Sequence, residues 1–372
     1  MKDALEPNVH KEKTNQINEV AYKTFKNIAF PCSFPKSPST KVITADPLNN
    51  SLVGQKNSLC EYNIGRQIGQ GAYASVKEAV QKIAGKKFAM KIYDKYRLLD
   101  PERKRSVNNE IMILKKLDHR NIVQLHETVD TTKQLCIIME YANGTSLHSY
   151  IKTKPGRIVP EYEAKKIFRQ VVSAIDYCHQ KGICHRDIKM DNIIVDRNLN
   201  VKLIDFGFST FSGSDKLLKI YCGTPSYMSP EIVTKVPYNG LKADLWSLGI
   251  LLFVLLGGYY PFKAAADKDL YKKISLAQYA SLDRVSPSAM KLISRLLVVE
   301  PQKRMTTDKI LCDPFLCEED SRMYKLHAMY GRDVVERLLG MKYTLLDIET
   351  KLSDPTTTIY LDYLTIQREK KL

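Results

Sequence analysis

The stretch His185-Arg-Asp-Ile-Lys-Met-Asp-Asn192 concentrates charged and amide side chains, and an Asp-Phe-Gly sequence begins shortly after it at Asp205. Asp187 offers a carboxylate that can accept the proton of a hydroxyl group, and Lys189 offers a cation for a phosphoryl group. Asn192 and Asp205 supply the hard oxygen ligands that Mg²⁺ prefers. The residue types indicate a site for chemistry on a phosphate.

A glycine-containing loop, Ile68-Gly-Gln-Gly-Ala-Tyr-Ala-Ser-Val76, lies between two predicted strands nearer the amino terminus. Its glycines let the backbone approach a polyanion, and its amides can donate hydrogen bonds to phosphate oxygens. Taken alone, the loop is equally typical of an ordinary hairpin turn. A predicted strand rather than a helix follows it, so the loop does not match a dinucleotide-binding fingerprint.

A lysine and a glutamate that follow this loop are candidates for one ion pair. Lys91 alternates along a predicted strand with apolar residues that begin at Phe88, so we expect it to face the glycine loop, as Ala89 does. Glu110 lies on a predicted helix that starts at Asp100-Pro101-Glu102, with an acidic N-cap and proline at the first position. Val107, Ile111 and Leu114 recur along it at helical spacing, so we expect Ile111 to face the core. Glu110 can turn inward toward Lys91. The alternative is a surface lysine and a surface glutamate.

The order of these motifs resembles that of the eukaryotic protein kinases. That order is glycine-rich loop, strand lysine, helix glutamate, HRDxKxxN, DFG and APE, the last of which is Ser229-Pro-Glu231 in this chain. Asp244-Leu-Trp-Ser-Leu-Gly249 and Arg304 match further family positions. In the family, the aspartate anchors the catalytic loop and the arginine pairs with the glutamate numbered Glu231 here. The resemblance covers residues 62–316, about two-thirds of the chain.

The resemblance implies an α+β, bilobal fold, with a small antiparallel β-sheet lobe carrying one main helix and a larger, mostly helical lobe. It implies that ATP binds between the lobes and that Lys91, held by Glu110, binds its α- and β-phosphates. Asp205 and Asn192 would hold Mg²⁺. Asp187 would orient the substrate hydroxyl and accept its proton.

The resemblance also implies the contacts of the adenine ring. Val76 and Ala89 would lie above the ring and Ile194 below it, with Met139 as the gatekeeper residue and Glu140-Tyr-Ala142 as the hydrogen-bonding hinge. The full set of residues implied for ATP binding is Ile68, Gly69, Gln70, Gly71, Ala72, Tyr73, Ala74, Ser75, Val76, Ala89, Lys91, Glu110, Met139, Glu140, Ala142 and Ile194.

The same segment indicates the class of substrate. Lys189 after the catalytic aspartate, and Gly223-Thr-Pro225 before the Ser-Pro-Glu sequence, are similar to serine/threonine kinases, so protein substrates with Ser or Thr acceptors are implied. The Asp-Phe-Gly-Phe-Ser sequence that ends at Ser209, together with Cys222-Gly-Thr-Pro, favours the calcium/calmodulin-dependent-like group. A kinase-fold scaffold without catalytic activity is the rival hypothesis, and the intact catalytic residues argue against it.

Three positions depart from the family pattern. Ala74 replaces the third glycine of the loop, a position where the family tolerates a small residue. Ser146 stands where many relatives have an acid that contacts the ribose and a basic substrate residue, so a strict arginine preference is less secure. Ile220 replaces a phosphorylatable threonine, so activation by phosphorylation at that position is impossible.

Ile220 lies in the loop between Gly207 and Ser229. Either another charged group orders this loop, or the loop is ordered without such a group. Arg186, which precedes the catalytic aspartate, is typical of kinases whose loop is ordered by a phosphate or a carboxylate. Asp215 is the candidate carboxylate. The candidate phosphorylation sites are Ser212, Ser214, Tyr221 and Thr224.

The two flanking segments differ in pattern. Residues 1–60 have few periodic apolar residues and a Pro- and Ser-rich stretch, which predicts a mostly disordered extension. Residues 317–372 predict three short helices, broken at Gly340-Met-Lys-Tyr343 and Ser353-Asp-Pro355. They resemble the ubiquitin-associated-type module that follows the kinase domain in the AMP-activated and microtubule-affinity-regulating families, and such a module can dock on the kinase domain. A plain helical extension packed on the large lobe is the alternative. The apolar positions that define these helices are Val334, Val335, Leu338, Leu339, Ile348, Leu352, Ile359, Leu361, Tyr363 and Leu364.

Composition bounds the remaining possibilities. The chain has 372 residues and a net charge of +16, and residues 61–316 carry +14 of it, from 40 Lys plus Arg against 26 Asp plus Glu. No nucleic-acid-binding motif accompanies this charge, so we predict no nucleic-acid partner. The longest apolar run, Leu248 to Gly258, is shorter than the ~20 residues that cross a bilayer. Eight cysteines without a CxxC pair, and no signal peptide, predict an intracellular protein, located in the cytoplasm or, alternatively, in the nucleus.

Overall fold

The computed structural model describes residues 59–71, 73–213, 217–317, 326 and 329–369. All but the last two residues of the predicted disordered extension lie outside the described residues, as do Ala72, Ser214 and Asp215. The strands are β1 (Tyr62–Gln70), β2 (Ala74–Gln81), β3 (Lys87–Asp94), β4 (Leu125–Asp130), β5 (Gln134–Glu140), β6 (Thr145–Ser146), β7 (Ile183–Cys184), β8 (Ile193–Val195), β9 (Val201–Leu203) and β10 (Thr210–Phe211). The helices are α1 (Pro101–Leu114), α2 (Leu147–Lys152), α3 (Glu161–Gln180), α4 (Pro230–Val233), α5 (Gly240–Gly257), α6 (Asp267–Ser275), α7 (Pro287–Leu296), α8 (Thr307–Leu311), α9 (Arg332–Gly340), α10 (Leu345–Lys351) and α11 (Thr358–Glu369).

The small lobe is an antiparallel sheet in the order β1-β2-β3-β5-β4. Phe88, Met90 and Ile92 are buried on one face of β3, as the alternation predicts. In β5, by contrast, the residues of both faces are buried, and Cys136 and Ile138 are among them. They join the cluster under β3, while the alternate β5 residues join the main core, so this strand is covered on both faces.

Helix α1 crosses the sheet and carries the predicted glutamate inward. It begins as the sequence predicts, because the Asp100 carboxylate accepts a hydrogen bond from the Glu102 N–H at 3.0 Å and Pro101 takes the first position. Ile113 is fully buried on its inner face, whereas Ile111, which the sequence placed toward the core, is only half-buried.

The large lobe is built around α3 and α5. The predicted apolar face of α3, from Ala164 to Cys178, is buried. Helix α5 has the length and composition of a membrane-spanning segment, yet 83% of it is buried inside the protein, which identifies it as the core helix of this lobe. Gly258, at φ 74°, ends it in the left-handed conformation that glycine adopts without strain.

Two small sheets flank the loop that carries the motif residues. β6, β8 and β9 form one of them, and β7 pairs with β10 in the other. The loop between β7 and β8 contains His185 to Asn192, and Asp205 follows β9 by one residue. The motif residues therefore lie on short connections that rigid elements hold at both ends.

Helices α9, α10 and α11 lie in the segment predicted to be helical. They bury a separate apolar cluster of their own, which includes Val334, Ile348 and Ile359. Two positions differ from the expected apolar face, because Leu361 is 57% exposed and Leu364 is half-buried. Ile366 takes the buried place on α11 instead.

Candidate active site

Three charged side chains from three elements meet in the cleft. The Lys91 Nζ atom of β3 lies 2.7 Å from Glu110 Oε1 of α1 and 3.0 Å from Asp205 Oδ1. Glu110 is 2% exposed, so the helix has turned this carboxylate inward rather than toward solvent. Tyr93, which the sequence analysis missed, donates a hydrogen bond to the other oxygen of Glu110 at 2.7 Å. The two residues proposed as an ion pair are therefore together.

The charges of this cluster stabilise one another. Burial disfavours the Lys91 ammonium, but the negative charges of Glu110 and Asp205 outweigh it and raise the lysine pKa well above its ordinary value. Burial also disfavours the Asp205 carboxylate, but the nearby Lys91 outweighs it and lowers the aspartate pKa. Both groups are charged at neutral pH, which suits a site for an anionic ligand.

A glycine allows this cluster to be compact. The Gly207 N–H donates a hydrogen bond to Asp205 Oδ1 at 3.1 Å. A Cβ atom at residue 207 would lie only 3.2 Å from that oxygen and 3.5 Å from Lys91 Nζ. The glycine of the Asp-Phe-Gly sequence is thus required for the close approach of the backbone to the carboxylate.

The catalytic-loop carboxylate has three side-chain partners. Asp187 is 5% exposed, and its oxygens lie 2.7 Å from Lys189 Nζ and 2.9 Å from Asn192 Nδ2. The Thr224 hydroxyl donates to Asp187 at 3.0 Å and accepts a hydrogen bond from Lys189 at 3.1 Å. The sequence analysis used Thr224 only as a mark of substrate class and as a possible phosphorylation site. The structure places it in direct contact with the catalytic carboxylate.

A second buried aspartate holds the catalytic loop from below. Asp244 of α5 accepts hydrogen bonds from the backbone N–H groups of His185 and Arg186, each at 2.8 Å, and from His179 at 2.9 Å. Arg186 has φ 65°, an uncommon value for a non-glycine residue. The Asp244 carboxylate fixes the backbone on both sides of this residue, as the family resemblance implies.

Two oxygen donors are suited to a magnesium ion. The Asn192 amide nitrogen donates to the Asp187 backbone and carboxylate, which leaves the side-chain oxygen of Asn192 as a ligand. The Asp205 side chain is 39% exposed, and only its Oδ1 atom is bound by Lys91 and Gly207 in the described part of the chain. Among those residues there is no cluster of three or more His, Cys, Asp or Glu side chains. Few protein ligands and only oxygen donors fit Mg²⁺, which usually completes its shell with water and phosphate.

Several other residues implied for ATP binding lie on the strands next to Lys91. The loop from Ile68 to Val76 is the β1–β2 hairpin, in which the Gly71 N–H donates to the Ala74 carbonyl at 2.8 Å. Val76 pairs with Lys91 across β2 and β3, and Ala89 pairs with Met139 across β3 and β5. These register pairs place the predicted upper wall of the adenine site beside the lysine.

The hinge side of the site is anchored by its own contacts. Met139 is 5% exposed at the end of β5. The Glu140 N–H donates to the Gln124 carbonyl at 2.9 Å, and its carboxylate lies 2.7 Å from Lys202 Nζ of β9. Ala142 follows in the loop, and Ile194 lies on β8, half-buried. β9 and the hinge are thereby linked across the site.

The candidate phosphorylation sites in the loop between β10 and α4 differ in exposure and contacts. Ser212 is fully buried, so the prediction that it is an accessible phosphorylation site is wrong. The Tyr221 hydroxyl donates to the Lys235 carbonyl at 2.8 Å. Ile220 is 51% exposed, and neighbouring Leu218 forms a two-bond backbone bridge with Tyr238, at 2.7 and 3.0 Å.

The end of this loop is fixed by a buried ion pair. Both outer nitrogens of the Arg304 guanidinium lie 2.7 Å from the two Glu231 oxygens. The Arg304 side chain is 0% exposed, and its guanidinium also donates to the backbone carbonyls of residues 242, 298 and 299. The pairing implied by the family resemblance is thus present.

Comparisons with known proteins agree with this geometry. Residues 62–316 match the family model described as "Protein kinase domain". The chain is 40% identical over 256 residues to "CBL-interacting serine/threonine-protein kinase 15" of Arabidopsis thaliana, a match that covers 68% of this chain and 60% of the relative. It is 38% identical over 300 residues to "CBL-interacting serine/threonine-protein kinase 3" of the same plant, covering 77% and 67%. It is 38% identical over 262 residues to "Probable serine/threonine-protein kinase MARK-A" of Dictyostelium discoideum, covering 70% and 24%. The chain thus spans 60% of the length of the first of these relatives.

Proposed function

This chain belongs to the protein kinase family, and from that premise we propose that it is an ATP- and Mg²⁺-dependent kinase that phosphorylates Ser and Thr residues of proteins. One observation carries the proposal: the Asp187 carboxylate is held by Lys189, Asn192 and Thr224 beside the intact cluster of Lys91. The same asparagine links the two groups, because the Ile204 N–H next to Asp205 donates to the Asn192 carbonyl at 3.0 Å.

Each side chain has a defined task in phosphoryl transfer. The Lys91 ammonium, held by Glu110, binds the anionic phosphates of the nucleotide. Asp187 orients the acceptor hydroxyl and takes its proton, while Lys189, 2.7 Å from that carboxylate, stabilises negative charge on the phosphoryl group. When bound, Mg²⁺ would be held by Asn192 and Asp205 and would neutralise phosphate charge.

The alternative of a silent scaffold has less support. A scaffold needs the fold but not an ordered set of acidic and basic groups in the cleft. Here Lys91 is hydrogen-bonded to Glu110 and Asp205, and the proposed base, Asp187, is hydrogen-bonded to Asn192. The similar relatives are also named as kinases.

The proposal is tested by ATP-dependent transfer of phosphate to a generic protein substrate, followed by identification of the phosphorylated amino acid. We expect phosphoserine and phosphothreonine with the wild type. Asp187→Asn should lower the transfer rate by about 10²- to 10⁴-fold, because the base is lost while the size of the side chain is kept. Asp118→Asn, the same change at an exposed residue, is the control and should leave the rate unchanged. Equal rates for wild type and Asp187→Asn would refute the assigned base, and no transfer by the wild type would favour the scaffold.

We also propose that the loop between β10 and α4 is ordered without a phosphate at residue 220. The backbone bridge between Leu218 and Tyr238, and the hydrogen bond of 2.6 Å from Arg186 Nε to the Phe208 carbonyl, support a loop ordered by its own contacts. Activity measured before and after phosphatase treatment should be the same. A loss of activity would point to a phosphate at Tyr221, Thr224 or Ser214 instead.

The carboxy-terminal helices are proposed to act as a module that docks on the kinase segment. The support is their own apolar cluster, which is the mark of a folding unit rather than of an irregular tail. Deletion of residues 317–372 should change either the activity or the stability of the kinase segment. No change in either would contradict docking.

We also propose an intracellular location, in the cytoplasm or, alternatively, the nucleus. The support is that Cys136, Cys178 and Cys184 are buried as free thiols, as expected in a reducing compartment. Imaging of a fluorescently tagged chain tests this proposal.

A further inference from the structure

The large lobe has an open surface cavity of about 510 Å³ that the proposed reaction does not use. It lies between the segment after α5 and the segment after α6. Its walls combine the phenol rings of Tyr259, Tyr260 and Tyr279 with the ammonium groups of Lys263 and Lys273. Aromatic and cationic side chains with no carboxylate among the lining residues make this a cavity for an anionic group.

The two lysines are held by neutral partners. Lys273 Nζ donates to the backbone carbonyl of Lys263 at 2.7 Å, and Lys263 Nζ lies 4.6 Å from the centroid of the Tyr259 ring. Burial and the positive charge of Arg157 lower the pKa of Lys263. Within the described residues neither lysine forms an ion pair, and the acids that begin α6, Asp267 and Asp269, do not line the cavity. Both cations are thus positioned without being neutralised.

The cavity adjoins the catalytic loop. Tyr260 packs edge to face against Tyr227, with ring centroids 5.6 Å apart. The Tyr227 hydroxyl accepts a hydrogen bond from the Met190 N–H at 3.4 Å, and Met190 lies between Lys189 and Asp191. One layer of aromatic rings, Tyr260 against Tyr227, therefore separates the cavity from the catalytic loop.

Ser146 and Asp191 occupy the positions where a basic residue of the substrate would bind, and neither offers a carboxylate without a partner. Ser146, in place of an acid, uses its hydroxyl to cap α2 by accepting from the Ser149 N–H at 3.2 Å. Asp191 is already paired, because its carboxylate lies 3.0 Å from His148 Nδ1. Burial opposes the charge of Asp191, but the hydrogen bond from His148 outweighs it and lowers the aspartate pKa. The carboxylate near the substrate is thus engaged in a hydrogen bond with His148, while the nearby cavity carries two lysines.

We propose that this cavity binds an acidic side chain of the protein substrate, so that the enzyme favours Ser or Thr residues with a Glu, Asp or phosphorylated residue close by. The inference rests on the proposed kinase function and names the class of substrate for that same site. Lys263 and Lys273 are the residues that recognise the acid, and the rings of the three tyrosines form the remaining walls of the cavity. Part of the excess positive charge of the kinase segment thereby has a specific use.

The test compares three serine peptides that differ only in their flanking residues, which are Glu, Ala or Lys. We expect kcat/KM for the Glu peptide to exceed that for the Ala peptide by about fivefold, the size expected for two partly exposed ion pairs, with the Lys peptide poorest. In Lys263→Ala/Lys273→Ala the preference should vanish while turnover of the Ala peptide is kept. Lys268→Ala/Lys291→Ala removes two exposed lysines that do not line the cavity, and it should keep the preference.

Two results would overturn the inference. One is equal kcat/KM of the wild type for the Glu and Ala peptides. The other is a preference that survives in the Lys263→Ala/Lys273→Ala variant. Transfer to no peptide at all would instead contradict the kinase function. Fluorescence anisotropy with a labelled Glu peptide whose serine is replaced by Ala tests the cavity without turnover: binding should weaken with added salt and be lost in the cavity variant, and unchanged binding there would also refute the proposal.

Discussion

The kinase segment and the carboxy-terminal helices differ in what they bury. The kinase segment encloses charged side chains such as Glu110, Asp187, Asp244 and Arg304, each with partners, whereas the described residues of α9, α10 and α11 bury a cluster of apolar side chains. Burying a charge costs free energy unless the charge is paired, so a protein retains buried charges where they have a task besides stability. The apolar cluster needs no such task, because burial alone stabilises it.

The strongest way to break this comparison is to remove a buried charge from the kinase segment. Arg304→Ala leaves the buried Glu231 carboxylate without its bidentate partner and should lower the free energy of unfolding by about 3–5 kcal/mol. Chemical denaturation measures the change. Lys303→Ala is the matched control, because its ion pair with Glu300 is 3.5 Å long and exposed, and the change should stay within about 0.5 kcal/mol. Similar losses for the two variants would contradict the distinction between buried and exposed pairs.

The next largest effect concerns the apolar cluster. Ile348 is fully buried in it, and Ile348→Ala should destabilise α9, α10 and α11 by about 2–4 kcal/mol through lost burial and a cavity. Hydrogen exchange should show lost protection in these helices and unchanged protection in α3 and α5, whose core is a separate cluster. Leu346→Ala, at a position 55% exposed on the same helix, is the control. Lost protection throughout the kinase segment would show that the two interiors are one.

Among the described residues, three buried polar side-chain atoms have no hydrogen-bond partner, and one of them is a hydroxyl oxygen. Ser229 is 1% exposed and its Oγ atom has no hydrogen-bond partner among the described residues. Ser229→Ala should therefore raise the free energy of unfolding by about 1 kcal/mol. Ser247→Ala is the matched change at a satisfied hydroxyl, which donates to the Tyr227 carbonyl at 3.0 Å, and it should lower stability by a similar amount. Destabilisation by Ser229→Ala would indicate a partner for this hydroxyl.

The smallest effect is expected at a helix end of the carboxy-terminal segment. Asp347 and Thr344 form a capping box at the start of α10, and hydrogen bonds from Lys351 and Thr344 lower the pKa of Asp347 to about 2. Asp347→Ala should cost about 0.5–1 kcal/mol, measured by thermal unfolding of α10. Because the folded pKa lies below the unfolded one, this contribution is present above about pH 4 and is lost as the pH falls toward 2. A difference between wild type and variant that persists at pH 2 would contradict the assignment.

The sequence predicts the site better than it predicts the details of packing. The pairing of Lys91 with Glu110 follows from the order of the family motifs along the chain, whereas the contact of Lys91 with Asp205 is seen only in the structure. Tyr93 and Thr224 were not predicted as site residues, since their contacts depend on how distant segments approach in space.

Helical periodicity was also of limited use where a helix is covered on more than one side. It selected Ile111 instead of Ile113 in α1. It likewise selected Leu361, which is exposed, and missed Ile366, which is buried. The cavity lined by Lys263 and Lys273 could not be predicted for a different reason. The net charge gives the number of cations in the kinase segment, but it does not show which of them lie together.

The central claim is that the buried charge cluster of the kinase segment binds the nucleotide, and two lysines of one strand test it most directly. We predict that Lys91→Met lowers kcat/KM for ATP by at least about 100-fold, because the phosphates lose a fixed cation in a partly buried site. Lys87→Met, on the same strand but with its side chain 58% exposed beside Glu78, should remain within about twofold of the wild type. Equal kcat/KM values for the two variants would contradict the account.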